Sequence, residues 1–349
     1  MSFLFGEQPT DSADSEDKAK KKSTKEPKVK LVEDKQEVSK ELREIKKIHS
    51  FDAVGERILQ KFQNDKLHHA TMLSGSFGIG KATFAYWLIY QMIVSKAQNE
   101  EMKQANLQLL QENRHPDVFI LQSSDGKEIS VEKVRELLDG FLSLKSTYGH
   151  KFVLIDDINS VNINGMNALL KSLEEPTKNT FFFIINHKIS VLLDTIYSRC
   201  NEEKLILSSS DCRKILTQQH DELTSDEISI YADMSENSVA FANILISLNV
   251  CKMADFLLDY NEINETNIII IANKIKQSIN NLWGILDSNF KSLPRVLKIA
   301  LLEKILYYLL SKLQKIKTDS ANTGKVVLFA NTLTKQFIDM KQFELPVRF

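Results

Sequence analysis

Cysteine is scarce. The three present, Cys200, Cys212 and Cys251, are too few and too widely spaced for a disulfide framework or for paired Cys-x-x-Cys zinc knuckles. A reducing cytoplasm is the expected setting, and no zinc is expected. Long apolar runs are also missing: Tyr86 to Val94 and Asn267 to Ala272, the longest, fall well short of the roughly 18 residues that a membrane span needs. Residues 1–17 show no signal-peptide pattern, so no membrane partner is expected. Net charge is nearly absent too, with 45 Lys and Arg against 46 Asp and Glu giving −1. Without a basic field, any contact with DNA must be local.

What is present is ordinary for a soluble chain of 349 residues: 43% hydrophobic and 26% charged, which excludes disorder or a fibre for the whole. The length allows two or three domains, each with its own core. Residues 1–47 read as a disordered charged tail. Gly6 to Lys30 has almost no large apolar residues, and its sign shifts from acidic (Asp11, Asp14, Glu16, Asp17) to basic (Lys18, Lys20, Lys21, Lys22). The basic stretch leaves two readings open, a solvated tail or a contact with DNA or a partner, and no function is assigned to it.

From Ile48 short apolar strands alternate with amphipathic helices, the pattern of a parallel sheet covered on both faces. The expected strands are Ala70 to Ser74, Val118 to Gln122, Phe152 to Asp156, Phe181 to Asn186 and Lys204 to Leu207. A helix is expected over Val131 to Leu142, with Ser130 placed to cap its first turn. Beyond Ser208 helical periodicity takes over, in Asp211 to Gln219, Asp226 to Met234 and Ser238 to Leu248. Asn249 to Phe349, including Ile299 to Leu313, reads as a helical bundle whose apolar stripes serve either a core or a subunit interface. The fold class is thus an α/β domain with a five-stranded parallel sheet at 48–207, a small helical lid at 208–248 and an all-helical domain at 249–349.

Gly75-Ser76-Phe77-Gly78-Ile79-Gly80-Lys81 follows the first strand and opens a helix, which is the context of a phosphate-binding P-loop. Gly75, Gly78 and Gly80 let the backbone turn its N–H groups and the helix dipole toward a phosphate, and Lys81 can reach the outer phosphates. Ala82, however, stands where a working loop has the Ser or Thr that holds Mg²⁺, and Thr83 is one residue late, about 100° further round the helix. ATP or ADP binding therefore remains chemically open, while Mg²⁺-dependent hydrolysis should suffer, and no protein metal site is expected.

Lys151 to Asp157 is an apolar strand ending in two carboxylates. P-loop enzymes use such a pair to hold Mg²⁺ through water and to polarise the attacking water. Asp156 suits the first role. Asp157 stands where a glutamate base is usual, one methylene short of the reach that proton transfer needs. Helix capping is the alternative use of the pair.

Two further blocks, Asn167-Ala168-Leu169-Leu170-Lys171-Ser172-Leu173-Glu174-Glu175-Pro176 and Ser198-Arg199-Cys200, resemble, in order, those of AAA+ clamp-loader subunits of bacterial DNA polymerase III. His68-His69-Ala70 and His115-Pro116-Asp117 make the delta-prime subunits, relatives of gamma and tau, the best match within that family. The resemblance covers about residues 50–250. It implies a three-part chain of nucleotide-binding-type core, lid and oligomerising collar, working in DNA replication within the polymerase III holoenzyme. It implies as partners the gamma/tau and delta subunits, the beta sliding clamp and primer-template DNA. It also implies that Arg199 acts in trans, across an interface, on a neighbour's ATP, and that Asn186 occupies the sensor position near a γ-phosphate. Phe241 occupies the lid position where active relatives carry a second arginine, and Ser95 to His115 lacks the cysteine cluster of some relatives.

Glu174 and Glu175 end a helix where the dipole disfavours negative charge, so cations are expected beside them unless they are simply solvated. Cys200 reads as a packed residue rather than a nucleophile. The losses at Ala82, Asp157 and Phe241 favour a scaffold with poor ATPase activity of its own. The alternatives are an active gamma/tau-like ATPase or, less consistent with Ser198-Arg199-Cys200, a P-loop kinase or switch protein.

Overall fold

The computed structural model describes residues 48–314, apart from 98, 124–126, 189–191, 256–258, 260, 261 and 264, together with 317 and 318. The expected charged tail at 1–47 lies outside the described residues, as does all of the chain beyond 318.

Five strands build the sheet: β1 (Ala70–Ser74), β2 (Val118–Gln122), β3 (Lys151–Asp156), β4 (Thr180–Asn186) and β5 (Asn201–Lys204). They lie in the order β2-β3-β4-β1-β5, all parallel. Apolar runs form the central strands because helices on both faces of a parallel sheet bury both sides of them. In β3 and β4 the two-residue period divides the run cleanly. Phe152, Leu154, Phe183 and Ile185 enter one core, and Val153, Ile155, Phe182 and Ile184 enter the other. The first core holds Phe51 and the buried faces of α1 (Asp52–Gln63) and α2 (Lys81–Val94); the second holds those of α4 (Val131–Arg135) and α5 (Ile163–Glu174). Each such side chain contributes about 1.5–3 kcal/mol when fully buried.

The fifth strand is displaced from its expected position at Lys204 to Leu207. The ladder to β1 runs from Thr71 with Asn201 to Ser74 with Lys204, and Leu205 N–H adds a bond to Ser74 O at 2.8 Å. The apolar signal had followed Leu205 and Leu207, which are buried in the exit segment around a largely exposed Ile206. An edge strand needs apolarity less, because main-chain bonds and ion pairs hold it. Here Glu203 pairs with Arg57 and, at 3.8 Å, with Lys61 of α1.

The helix expected over Val131 to Leu142 forms in two parts, with α4 followed by a π-helical turn at Glu136–Phe141. Ser130 is at the N-cap position without a side-chain capping bond; its hydroxyl bonds the Glu132 carboxylate instead. Between α2 and β2 lies α3 (Glu100–Gln111), capped by Asn99, whose side chain accepts from Met102 N–H at 2.8 Å. The His115-Pro116-Asp117 block has a structural use: the Asp117 carboxylate accepts Thr147 N–H at 2.8 Å and Tyr148 N–H at 2.6 Å, fixing the loop into β3.

After α6 (Asp194–Tyr197) and β5 come α7 (Ser209–Gln219), α8 (Ser225–Met234) and α9 (Val239–Ser247). Each starts at a side-chain cap: Ser208, Thr224 with Glu227 in a capping box, and Ser238. Then follow the short α10 (Val250–Met253) and the long α11 (Glu265–Asn289) and α12 (Arg295–Gln314). Ile271, Ile275, Leu282 and Leu286 pack with Leu301, Leu302, Ile305 and Leu309 between the two long helices, while Ile269, Val296 and Tyr307 stay exposed. Two-residue strands β6 (Glu262–Ile263) and β7 (Lys317–Thr318) pair in parallel, strands that the helical reading beyond Ser208 did not include.

Candidate functional site

The P-loop leaves β1 at Ser74 and enters α2 at Lys81. Gly75 N–H donates to Asn186 O at 3.2 Å, tying the loop to β4. Gly78 has φ +75°, and a Cβ there would lie 2.6 Å from the Ala240 Cβ and collide with the Ser238 hydroxyl. Its carbonyl accepts Ala240 N–H at 3.2 Å. The loop and the first turn of α9 therefore approach more closely than any side chain at 78 would allow.

Aromatic rings close the same approach. Phe77 lies against Phe241 with centroids 5.4 Å apart and against His187 at 5.1 Å. Phe241, at the lid position where the resemblance implied a missing arginine, is thus a packing residue 6% exposed. Phe77 and His187 were not singled out from the sequence. Their signal, an aromatic inside a glycine-rich loop and a histidine after a buried strand, is too common to assign without the fold.

Lys81 is 2% exposed, and its ammonium donates to Gly75 O at 2.9 Å and Ser76 O at 2.6 Å. Burial pushes its pKa down to about 7 against the pull of Asp157 and then Asp156. Burial, followed by the Lys81 charge, lowers His187 to about 4, with Asp157 opposing.

Asp156 ends β3. Asp157 follows at φ +77°, a rare conformation for a residue with a Cβ, and caps the short helical turn Ile158–Ser160. Its Oδ1 accepts Asn159 N–H at 3.0 Å and Asn159 Nδ2–H at 2.8 Å, and its Oδ2 accepts the Ser160 hydroxyl at 2.7 Å. Asn186 is fully buried: its Oδ1 accepts Lys188 N–H at 2.8 Å, and its Nδ2 donates to Tyr197 Oη at 2.7 Å. These groups do not fit a hydrolytic Mg²⁺-nucleotide centre as arranged. Position 82 has no hydroxyl, Asp157 serves its own turn, and Lys81 is folded onto its own loop.

Arg199 lies between α6 and β5, two residues past the end of α6. Its Nη1 donates to Thr195 O at 2.7 Å and to the Ser198 hydroxyl at 3.2 Å, and its Nη2 donates to Glu174 at the end of α5. The cation expected beside Glu174 is therefore Arg199, whose side chain keeps 30% of its surface in solvent. Burial pushes the Cys200 thiol up to about 12, which removes it as a thiolate nucleophile. Among the described residues no group of three or more His, Cys, Asp or Glu is arranged to hold a metal ion, and no helix is long and apolar enough to cross a membrane.

The comparisons with known proteins fall on this part of the chain. Residues 51–209 match the family described as DNA polymerase III, delta subunit. DNA polymerase III subunit delta' of Pseudomonas aeruginosa is 39% identical over 140 residues, 39% of this chain and 42% of that protein. The chain therefore spans less than half the length of that relative. DNA polymerase III subunit gamma of a Buchnera aphidicola strain is 29% identical over 242 residues, 66% of this chain and 64% of that one. Among solved structures, a DNA polymerase III gamma subunit-related protein from Thermotoga maritima has a TM-score of 0.41 at 16% identity, covering 80% of this chain and 91% of that one. It is over residues 51–209, which contain the P-loop, Asp156, Asp157, Asn186 and Arg199, that this chain matches the DNA polymerase III delta subunit family.

Proposed function

We propose that this chain is a delta-prime subunit of a DNA polymerase III clamp loader that lends Arg199 to the ATP site of a neighbouring subunit and hydrolyses ATP poorly or not at all itself. The observation that carries the reading is the contrast in how polar groups are spent. Lys81, Asp157 and Asn186 are bonded to their own chain around the P-loop, whereas Arg199 keeps solvent access. A guanidinium supplied across an interface neutralises charge developing on a γ-phosphate, an effect worth roughly 10³–10⁵ in rate in NTPases that use one. On this reading the partners are the gamma/tau and delta subunits, the beta clamp and primer-template DNA, and the long helices α11 and α12 form part of the collar. Lys81 and the loop glycines keep ATP or ADP binding open; Asp156 would then face the phosphates, without the Ala82 hydroxyl to complete a metal site.

A gamma/tau-like ATPase is the second reading, favoured by the gamma relative, whose match extends over more of the chain than the delta' match. One experiment separates them: ATP turnover by the reconstituted, DNA-stimulated complex carrying Lys81→Ala or Arg199→Ala in this subunit, with the purified chain as baseline. The scaffold reading expects a large loss with Arg199→Ala, little change with Lys81→Ala and an inactive lone chain. Turnover by the lone chain that Lys81→Ala abolishes would establish the ATPase instead.

A further inference from the structure

A surface arginine samples many rotamers, and ordering it costs entropy that weakens whatever it binds. Arg199 is held by three acceptors. Thr195 O and the Ser198 hydroxyl belong to its own turn, but Glu174 comes from a distant helix, 25 residues earlier. At the C-terminus of α5 the helix dipole disfavours a carboxylate, so α5 itself gives no reason for an acid there.

Both backbones that carry this ion pair are anchored. The end of α5 is fixed by His69, whose Nε2–H donates to Leu173 O at 2.8 Å, next to Glu174. The end of α6 is fixed by Tyr197, whose hydroxyl accepts from the buried Asn186 at 2.7 Å, two residues before Arg199. Of a guanidinium's five N–H donors, three are engaged by these contacts. The other two, on a side chain still 30% exposed, remain for an acceptor from outside.

We infer that Glu174 is a positioning residue for Arg199: its carboxylate fixes the guanidinium so that the two remaining donors meet the terminal phosphate of a nucleoside triphosphate held by a neighbouring subunit. The inference rests on the proposed trans role. The ion pair is at the surface, so its attraction is modest, and its value lies in having the arginine ordered before the phosphate arrives. No bond is made or broken at Glu174, and no proton moves.

The test is DNA-stimulated ATP turnover by the reconstituted complex with Glu174→Ala, Glu174→Gln, Arg199→Ala and the Glu174→Ala/Arg199→Ala pair in this subunit. The expected result is a roughly tenfold fall in kcat for Glu174→Ala with KM for ATP unchanged. Glu174→Gln, which keeps an acceptor oxygen in place, should stay within about threefold of the native complex. In the Arg199→Ala background, Glu174→Ala should have no further effect, because it acts only through the arginine. A kcat that is unchanged or raised by Glu174→Ala, or that falls further in the Arg199→Ala background, overturns the inference while leaving the trans role intact. If Arg199→Ala itself leaves turnover untouched, the trans role fails and the positioning role with it.

Discussion

Lys81 and Arg199 flank neighbouring strands of one sheet, yet their surroundings differ in kind. Lys81 is almost wholly buried and bonded to the carbonyls of its own loop, a loop that packs at Phe77 against His187 and Phe241 and at Gly78 against the first turn of α9. Arg199 lies between a carboxylate and solvent. The difference teaches that a residue type conveys a function only with its donors and acceptors counted. Around the P-loop the polar groups are bonded within the α/β core, so substitutions there should register in folding. Around Arg199 they should register in what the chain does to others.

The largest effect that would break this contrast is expected at Phe241. Truncation to Ala empties a buried aromatic site against Phe77 and should cost about 3–4 kcal/mol in urea denaturation. A cost below about 1 kcal/mol would mean that the packing of α9 against the P-loop does not rely on this contact. Gly78→Ala comes next, at about 2–3 kcal/mol, because it combines positive φ with a collision against Ser238 and Ala240.

Lys81→Met sharpens the comparison through pH. The folded ammonium titrates near 7 and the unfolded one near 10.5, so between these values the unfolded chain binds the extra proton and native stability rises with pH. The slope from this one group is at most about 1.4 kcal/mol per pH unit, and Lys81→Met should remove it from the alkaline limb of a stability profile. His187→Phe should act on the acid limb. With a folded pKa of about 4 against 6.5 unfolded, His187 makes the protein lose stability as pH falls through that window, and the substitution should spare about 2 kcal/mol near pH 5. The smallest effect is expected at Arg199: Arg199→Ala should shift the lone chain's stability by no more than about 0.5 kcal/mol. A shift several times larger would make Arg199 a structural residue and erase the contrast.

Much of the core was legible because its strands carry apolar runs, buried on both faces in β3 and largely half-buried in the edge strand β2. Val118 to Gln122 and Phe152 to Asp156 announce themselves by unbroken apolarity, and their ends follow from the polar residues beside them. Asn201-Glu202-Glu203-Lys204 was not legible, since a strand held by main-chain bonds and by Arg57 and Lys61 leaves no apolar pattern to read. The π-helical turn at 136–141 was hidden for a related reason: Leu137, Leu138 and Phe141 satisfy helical spacing whichever way the turn is bonded.

At the site, the loop glycines, Lys81 and the two aspartates could be placed in sequence, but not where each side chain spends its bonds. Nothing local tells that Asp157 will turn back on Asn159 and Ser160. The cation for Glu174 could be anticipated from the helix end; that it would be Arg199 depends on α5 and α6 meeting in space.

The polar character of β5 has a further consequence, for the life of the chain before it has folded or found company. The outermost strand of a sheet offers unpaired main-chain groups on which a stray strand can grow, the route by which sheets polymerise. On this border any newcomer would have to lie across Glu202, Glu203 and Lys204, and across the charges of Arg57, Lys61 and Lys188 that gather around them. The same residues that concealed the strand from the hydrophobic pattern make that border unattractive to strand-on-strand growth, and so guard the chain against aggregation.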